Sequence, residues 1–155
     1  TSFAGPLAPG RGRANHRRLD LHRAEDAALI VDRLARRVPV SRAAGDAVAP
    51  AFFLLKALES PEIELHHLPD LDAVVAIERE EPGTLTLLDV VAAEIPPLAA
   101  IAAALGGGER RARVMFTPDL LDWTASEAVV EDSGLMACGA WPFDGRPFML
   151  STMRV

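Results

Sequence analysis

Hydrophobic positions along this chain change period several times, and each change marks a structural element. The pattern begins at Arg17-Arg18-Leu19-Asp20-Leu21, a short alternating strand. In HRAEDAALIVDRLARRVPVS, residues Ala27, Leu29, Ile30, Leu34 and Val38 then keep near-helical spacing. Glu25 and Asp26 fall in the first turn, where carboxylates complement the helix dipole, and Arg33, Arg36 and Arg37 favour its other end. Pro39 stops the helix. After a turn around Gly45-Asp46, APAFFLLKALES predicts a second helix, opened near Pro50 and closed by Pro61. The continuous apolar run Phe52 to Leu55 fits a buried strand as the alternative.

Three strands follow: Glu62 to Leu68, Ala73 to Glu78 and Thr84 to Val91. Pro82-Gly83 between the last two is a turn signal and makes them an antiparallel hairpin. Next comes an apolar helix, Pro96 to Leu105, ending in Gly106-Gly107-Gly108 as a C-cap and turn. Arg113 to Phe116 is a further strand, and Thr117-Pro118-Asp119 starts a short helix through Leu121. Late strands are expected around Leu135 to Cys138 and Phe148 to Leu150. Residues before Arg17 are rich in Gly, Pro and Ala without periodicity, so 1–16 reads as a linker or extended arm and 17–155 as one domain.

Composition narrows the class. Half of the 155 residues are hydrophobic and a quarter charged, the balance of a soluble globular domain able to bury a core. No apolar run is long enough to span a membrane and no signal peptide is visible, so a cytoplasmic protein without a membrane partner is expected. The single cysteine, Cys138, excludes an internal disulfide and any multi-cysteine metal site. A net charge of −6 argues against nucleic acid as partner. That charge is uneven: from Arg11 to Arg42 nine arginines meet four acids, a surplus of +5 that leaves −11 for the rest. The basic end suits an acidic surface of this chain or of a neighbour.

Few residues carry candidate chemistry. Glu78 and Asp89 on the hairpin strands are candidate general bases if they line a cleft, and Cys138 is a further candidate. His66-His67 sits ahead of Asp70 and Asp72. Adjacent strand residues point to opposite faces, so no metal site is expected there. Trp141, Phe143 and Arg146 in the Gly/Pro-rich tail either close over the core or form a docking patch.

The order of elements resembles the GNAT superfamily of N-acetyltransferases. The stretch RRLDLHRAEDAALI is similar to the opening strand and helix of that family, DAVVAIEREEPGTLTLLDVV to its central hairpin, and LLDVVAAEIPPLAAIAAAL to its signature strand-loop-helix. The resemblance covers roughly Arg17 to Cys138 by element order. It implies an α/β (α+β) fold with a mixed, largely antiparallel sheet flanked by helices. It also implies an acetyl-CoA site at an Arg/Gln-x-x-Gly-x-Gly/Ala loop, whose backbone amides take the pyrophosphate at a helix N-terminus.

The matching positions depart from that pattern. They read Ala92-Ala93-Glu94-Ile95-Pro96-Pro97: two residues without N–H, no glycine, and a carboxylate beside the anion's place. Each missing donor forfeits about 1.5–3 kcal/mol. The chain also has no tyrosine, the residue that GNAT enzymes often use to protonate the leaving thiolate. The expectation is therefore a degenerate GNAT-like lobe without its own cofactor, supporting the acceptor site or assembly of an acetyltransferase whose acetyl-CoA is held by a preceding GNAT domain. A start at Thr1 rather than Met suits a C-terminal lobe of that kind, with the preceding domain or a second copy as partner. The alternatives are a free-standing small-ligand, peptide-binding or dimerisation module, and an acetyltransferase or other acid–base enzyme with an atypical site.

Overall fold

A computed structural model of the chain describes residues 1–8, 13–43, 50–130, 147–150 and 153. The strands are β1 (Ser2–Pro6), β2 (Arg17–Leu19), β3 (Glu64–Leu68), β4 (Ala73–Glu78), β5 (Thr84–Val91), β6 (Arg111–Val114) and β7 (Glu127–Val129). The helices are α1 (Ala24–Arg36), α2 (Pro50–Glu59) and α3 (Leu98–Leu105). The seven strands among the described residues join one sheet in the order β2-β3-β4-β5-β6-β1-β7. Only β5 and β6, joined through α3, run parallel; the other neighbours are antiparallel. The expected class of mixed, largely antiparallel sheet with helices therefore holds.

Alternation along the central strands sorts the core into two layers. Val75 and Ile77 of β4 and Leu85 and Leu87 of β5 pack with Leu98, Ile101 and Ala102 of α3 on one face. Val74 and Ala76 of β4 and Leu88 of β5 pack with Ile30 and Leu34 of α1 and Phe53 of α2 on the other. β4 is buried on both faces, which is why AVVAIE reads as a continuous apolar run rather than an alternating one. Phe52 to Leu55 lies within α2, so the helical reading of that segment holds over the strand alternative.

Asp26 of α1 is buried, although a first-turn acid is usually solvated. Its carboxylate accepts the Asp20 amide at 3.0 Å and an Arg17 Nη1 hydrogen at 2.5 Å, so it ties β2 and the following turn to the helix. The Asp20 amide bond is the main reason its carboxyl titrates below the ordinary aspartate value, with Arg17 and Arg23 working against the cost of burial.

β3 starts at Glu64 rather than Glu62, β6 spans Arg111–Val114 rather than Arg113 to Phe116, and β7 is not among the expected strands; three further differences bear on the packing. The first is the N-terminal segment, where order begins at Ser2 rather than Arg17. Residues Ser2–Pro6 form an internal strand between β6 and β7, with Phe3, Ala4 and Leu7 buried. Gly5, which reads as a breaker, is there for close approach. A Cβ at that position would lie 3.0 Å from both the Ser126 amide nitrogen and the Trp123 ring. Trp123 Nε1 in turn donates to the Pro6 carbonyl at 2.9 Å. The second is α3, which starts at Leu98, with Pro97 as its N-cap, instead of at Pro96. The third lies after β6: Thr117 to Leu121 forms a turn closed by the Leu121 amide on the Pro118 carbonyl, not a helix. Phe148 to Leu150 is not a strand, though the Thr117 amide donates to the Met149 carbonyl at 3.0 Å and the Met149 amide to Thr117 Oγ1 at 2.8 Å. The expected strand at Leu135 to Cys138 and the turn at Gly45-Asp46 lie outside the described residues.

A linker and an internal strand respond differently to truncation of a side chain. Replacing Phe3 with Ala is expected to lower unfolding free energy by about 3 kcal/mol, as for a core aromatic. A substitution at exposed Ala14 should change it by less than about 0.5 kcal/mol, both read by denaturant unfolding.

Candidate functional site

The turn between β5 and α3 holds the residues to which the anion-cradle expectation applies. Glu94 is exposed, Ile95 packs against the α3-side core, and Pro96 is buried. The first helical amide, that of Leu98, donates to the Leu121 carbonyl at 2.8 Å. Amides of Ala100 and Ile101 turn back to the Pro97 carbonyl at 3.0 and 3.2 Å. A helix N-terminus binds anions through free N–H groups aimed outward. Here the leading amide is capped by a carbonyl oxygen of the same chain, and the two preceding residues bring no N–H.

Asp89 is not a solvated base but half of a buried ion pair. Its strand carries a bulge: Ala76 of β4 lies opposite Asp89 while the next residue, Ile77, lies opposite Leu87, leaving Leu88 extra. Regular alternation would send Asp89 the same way as Leu87, into the apolar α3 layer. The bulge moves it to the side of Ala76, where α1 packs. Arg37, at the C-terminal end of α1, meets it there with Nη2 to Oδ1 at 2.8 Å and Nη1 to Oδ2 at 3.3 Å. The two side chains are only 8% and 2% exposed, and Arg37 Nη2 also reaches the Val90 carbonyl at 3.5 Å.

Arg37 begins a segment that closes the parting of β5 and β6. Those strands pair from Thr84 to Leu87 only, extended by the Met115 amide on the Leu87 carbonyl. Past that point the Val38 amide donates to the Ala92 carbonyl at 2.9 Å, and Val40 is wholly buried in the α3-side layer. The Arg42 amide then reaches the Asp119 carboxylate at 2.9 Å. Thus residues 37–42 bridge from the end of β5 to the loop after β6.

Glu78 lies half-buried at the hairpin end of β4, opposite Thr86. Burial pushes its carboxyl above the ordinary glutamate value, and the negative charges of Glu80 and Glu62 add to this against Lys56. Glu78 stands two residues along β4 from Ala76, the residue that pairs with Asp89. Cys138, Trp141, Phe143 and Arg146 lie outside the described residues.

His66 and His67 take opposite faces, as adjacent strand residues do. His66 lies opposite Val75 of the α3 layer, and His67 opposite Val74 of the α1 layer. His66 is buried and bonded through Nε2 to Glu64 at 3.0 Å and through Nδ1 to Nδ1 of His16 at 3.0 Å. Among the described residues the buried His67 Nε2 atom has no hydrogen-bond partner. Among the described residues no group of three or more His, Cys, Asp or Glu side chains is placed to hold a metal ion. Sequence reading missed the His16–His66 contact and the Arg37–Asp89 pair. A carboxylate inside TLTLLDVV was the one available signal for the second, since a buried charge requires a partner.

An open groove of about 510 Å³ runs beside the edge strand β2. Leu19, Leu21, Leu58 and Ile63 line it together with Arg18 and His22. Next to it α2 exposes an apolar stripe of Phe52, Leu55 and Leu58, each more than half exposed. Among the described residues no helix is long and apolar enough to cross a membrane.

Replacing Asp89 with Ala leaves the Arg37 guanidinium buried and unpaired, and is expected to cost about 3–5 kcal/mol of stability in denaturant unfolding. Replacing Arg37 and Asp89 together with Leu should recover most of that loss, whereas a solvated strand carboxylate would show less than about 0.5 kcal/mol in the single variant. No family model matches the chain, and neither a curated protein nor a solved structure matches it.

Proposed function

We propose that this chain is a GNAT-like lobe that does not itself hold acetyl-CoA and serves the acceptor side or the assembly of an acetyltransferase whose cofactor sits on another domain. The observation that carries this reading is the capped N-terminus of α3. The strand-turn-helix that would present amides to a pyrophosphate is in place. Its first amide is held by the Leu121 carbonyl and its approach is built from Glu94, Pro96 and Pro97. The resemblance itself draws support from the antiparallel run β2 to β5 followed by a parallel crossover through α3. The bridge of residues 37–42 argues the same way, because it occupies the parting between β5 and β6 with the chain's own groups.

A lobe of this kind needs a surface for its partner. The apolar stripe of α2 and the groove beside β2 are the surfaces that suit the role, being contiguous through Leu58. The basic surplus between Arg11 and Arg42 is largely met within the chain, where Arg18 pairs with Glu64, Arg33 with Asp72 and Arg37 with Asp89, so the apolar surface is what recommends this side to a partner.

Losing two amide donors in an anion site corresponds to about 3–6 kcal/mol, or roughly 150- to 20,000-fold in affinity. Calorimetry of the isolated chain with acetyl-CoA is therefore expected to show no saturable binding up to about millimolar ligand. Micromolar affinity, or acetyl transfer to an amine by this chain alone, would overturn the proposal.

A further inference from the structure

Glu64, His66 and His16 form a chain of hydrogen bonds on the α3 side of the sheet, near its β2 edge. Glu64 Oε2 lies 3.0 Å from His66 Nε2, and His66 Nδ1 lies 3.0 Å from His16 Nδ1. His66 is 3% exposed while His16 is at the surface. The charged groups around them come from every neighbouring element. Arg18 of β2 lies 3.1 Å from Glu64, and Arg79, just past β4, lies 3.3 Å from Glu64 and 3.6 Å from Glu109 after α3. Asp70, in the turn after β3, accepts from Asn15 Nδ2 at 2.9 Å.

The donor and acceptor roles follow from the carboxylate. Burial alone would raise the Glu64 carboxyl, but the bonds from His66 and Arg79 and the charge of Arg18 hold it below the ordinary value. Glu64 is therefore ionised at neutral pH, and the proton of a neutral His66 sits on Nε2. His66 Nδ1 is then an acceptor, so His16 donates from Nδ1. Burial also keeps His66 below the ordinary histidine value, more than its Glu64 bond raises it, with His16 and Arg79 acting in the same direction as burial.

Adding one proton to the pair preserves the contact between the rings. Whichever imidazole takes the proton donates from Nδ1, and the neutral one accepts by adopting its Nε2–H tautomer. A second proton makes both facing nitrogens donors. No hydrogen bond is then possible, and two positive rings meet at a ring-centroid separation of 4.9 Å, tilted by 56° to one another. The contact is anchored to the fold: the Asn15 amide, next to His16, donates to the Ala104 carbonyl in the last turn of α3 at 3.0 Å.

We propose that Glu64, His66 and His16 are a proton-counting latch, which holds residues 13–16 against β3 and α3 with no proton or one proton added to the histidine pair and releases them when the second arrives. Two positive imidazoles in contact repel, so the second proton is taken up less readily than the first and the latch opens as the solution is acidified. Its opening uncovers His66 and frees residues 13–16.

The intact chain tests this through amide exchange and imidazole nitrogen shifts. Between about pH 7.5 and about pH 5, the protection factor of the Asn15 amide is expected to fall at least tenfold, while that of Val75 in β4 stays unchanged. In the His16→Leu variant, which alters a surface residue, Asn15 should be weakly protected already at the upper pH and show no further step. At that pH the nitrogen shifts should place protons on His66 Nε2 and His16 Nδ1. Retained Asn15 protection at the lower pH, an identical fall in His16→Leu, or protons on the opposite nitrogens would each overturn the latch.

Discussion

Asp89 sits on a central strand whose neighbours are almost all apolar, and the way it finds a cation sets much of the surrounding architecture. A carboxylate buried there without a partner is not sustainable at neutral pH. The bulge at Leu88 turns it out of the α3 layer, and Arg37 meets it from the end of α1. That pairing fixes where α1 ends against the sheet. It also launches residues 38–42 across the parting between β5 and β6, with Val40 buried in the opposite layer and Arg42 bonded to Asp119. One charge on one strand thus links a helix, a strand irregularity and a bridging loop.

The elements that were legible are those whose pattern and surroundings agree. β4 and β5 match their expected spans residue for residue, because an apolar, β-branched hairpin with Pro82-Gly83 at its turn has few alternative arrangements. α1 was legible from its period and its end charges. β1 was not, because Gly5 and Pro6 carry the usual marks of irregular chain. Their reason for being there is tertiary: Gly5 makes room for Trp123 and Ser126, and Pro6 lends its carbonyl to the indole. β7 was missed for the opposite reason, since EAV is exposed throughout and pairs with β1 without a hydrophobic face. A strand held by backbone pairing and one surface ion pair, Glu127 with Arg111, leaves little mark in composition.

Site chemistry followed the same division. Glu94, Pro96 and Pro97 could be judged from residue type, since a missing N–H is a property of proline wherever it stands. Asp89 was legible as a strand carboxylate but not as an ion pair, because Arg37 lies 52 residues away in sequence. His16 and His66 are 50 residues apart, and the first belongs to a segment with no periodicity of its own. Their contact arises from the antiparallel pairing of β2 with β3, which sets Arg18 beside His66 and brings the residues before β2 along the same edge.

Two closures, independent in sequence, act on the strand-turn-helix that resembles an anion cradle. One is local: the turn lacks glycine and contributes two prolines. The other is tertiary: the Leu121 carbonyl caps the first amide of α3, and the Val38 amide is bonded to the Ala92 carbonyl. Replacing both prolines with glycine would return two N–H groups and leave that carbonyl in place. An incoming phosphate would still have to displace a hydrogen bond worth about 1 kcal/mol net and face a carbonyl dipole of the wrong sign. Turning this turn into an anion site therefore requires moving the loop after β6 as well as changing its own residues. That loop is held in turn by Asp119 to Arg42 and, through Arg37, by Asp89.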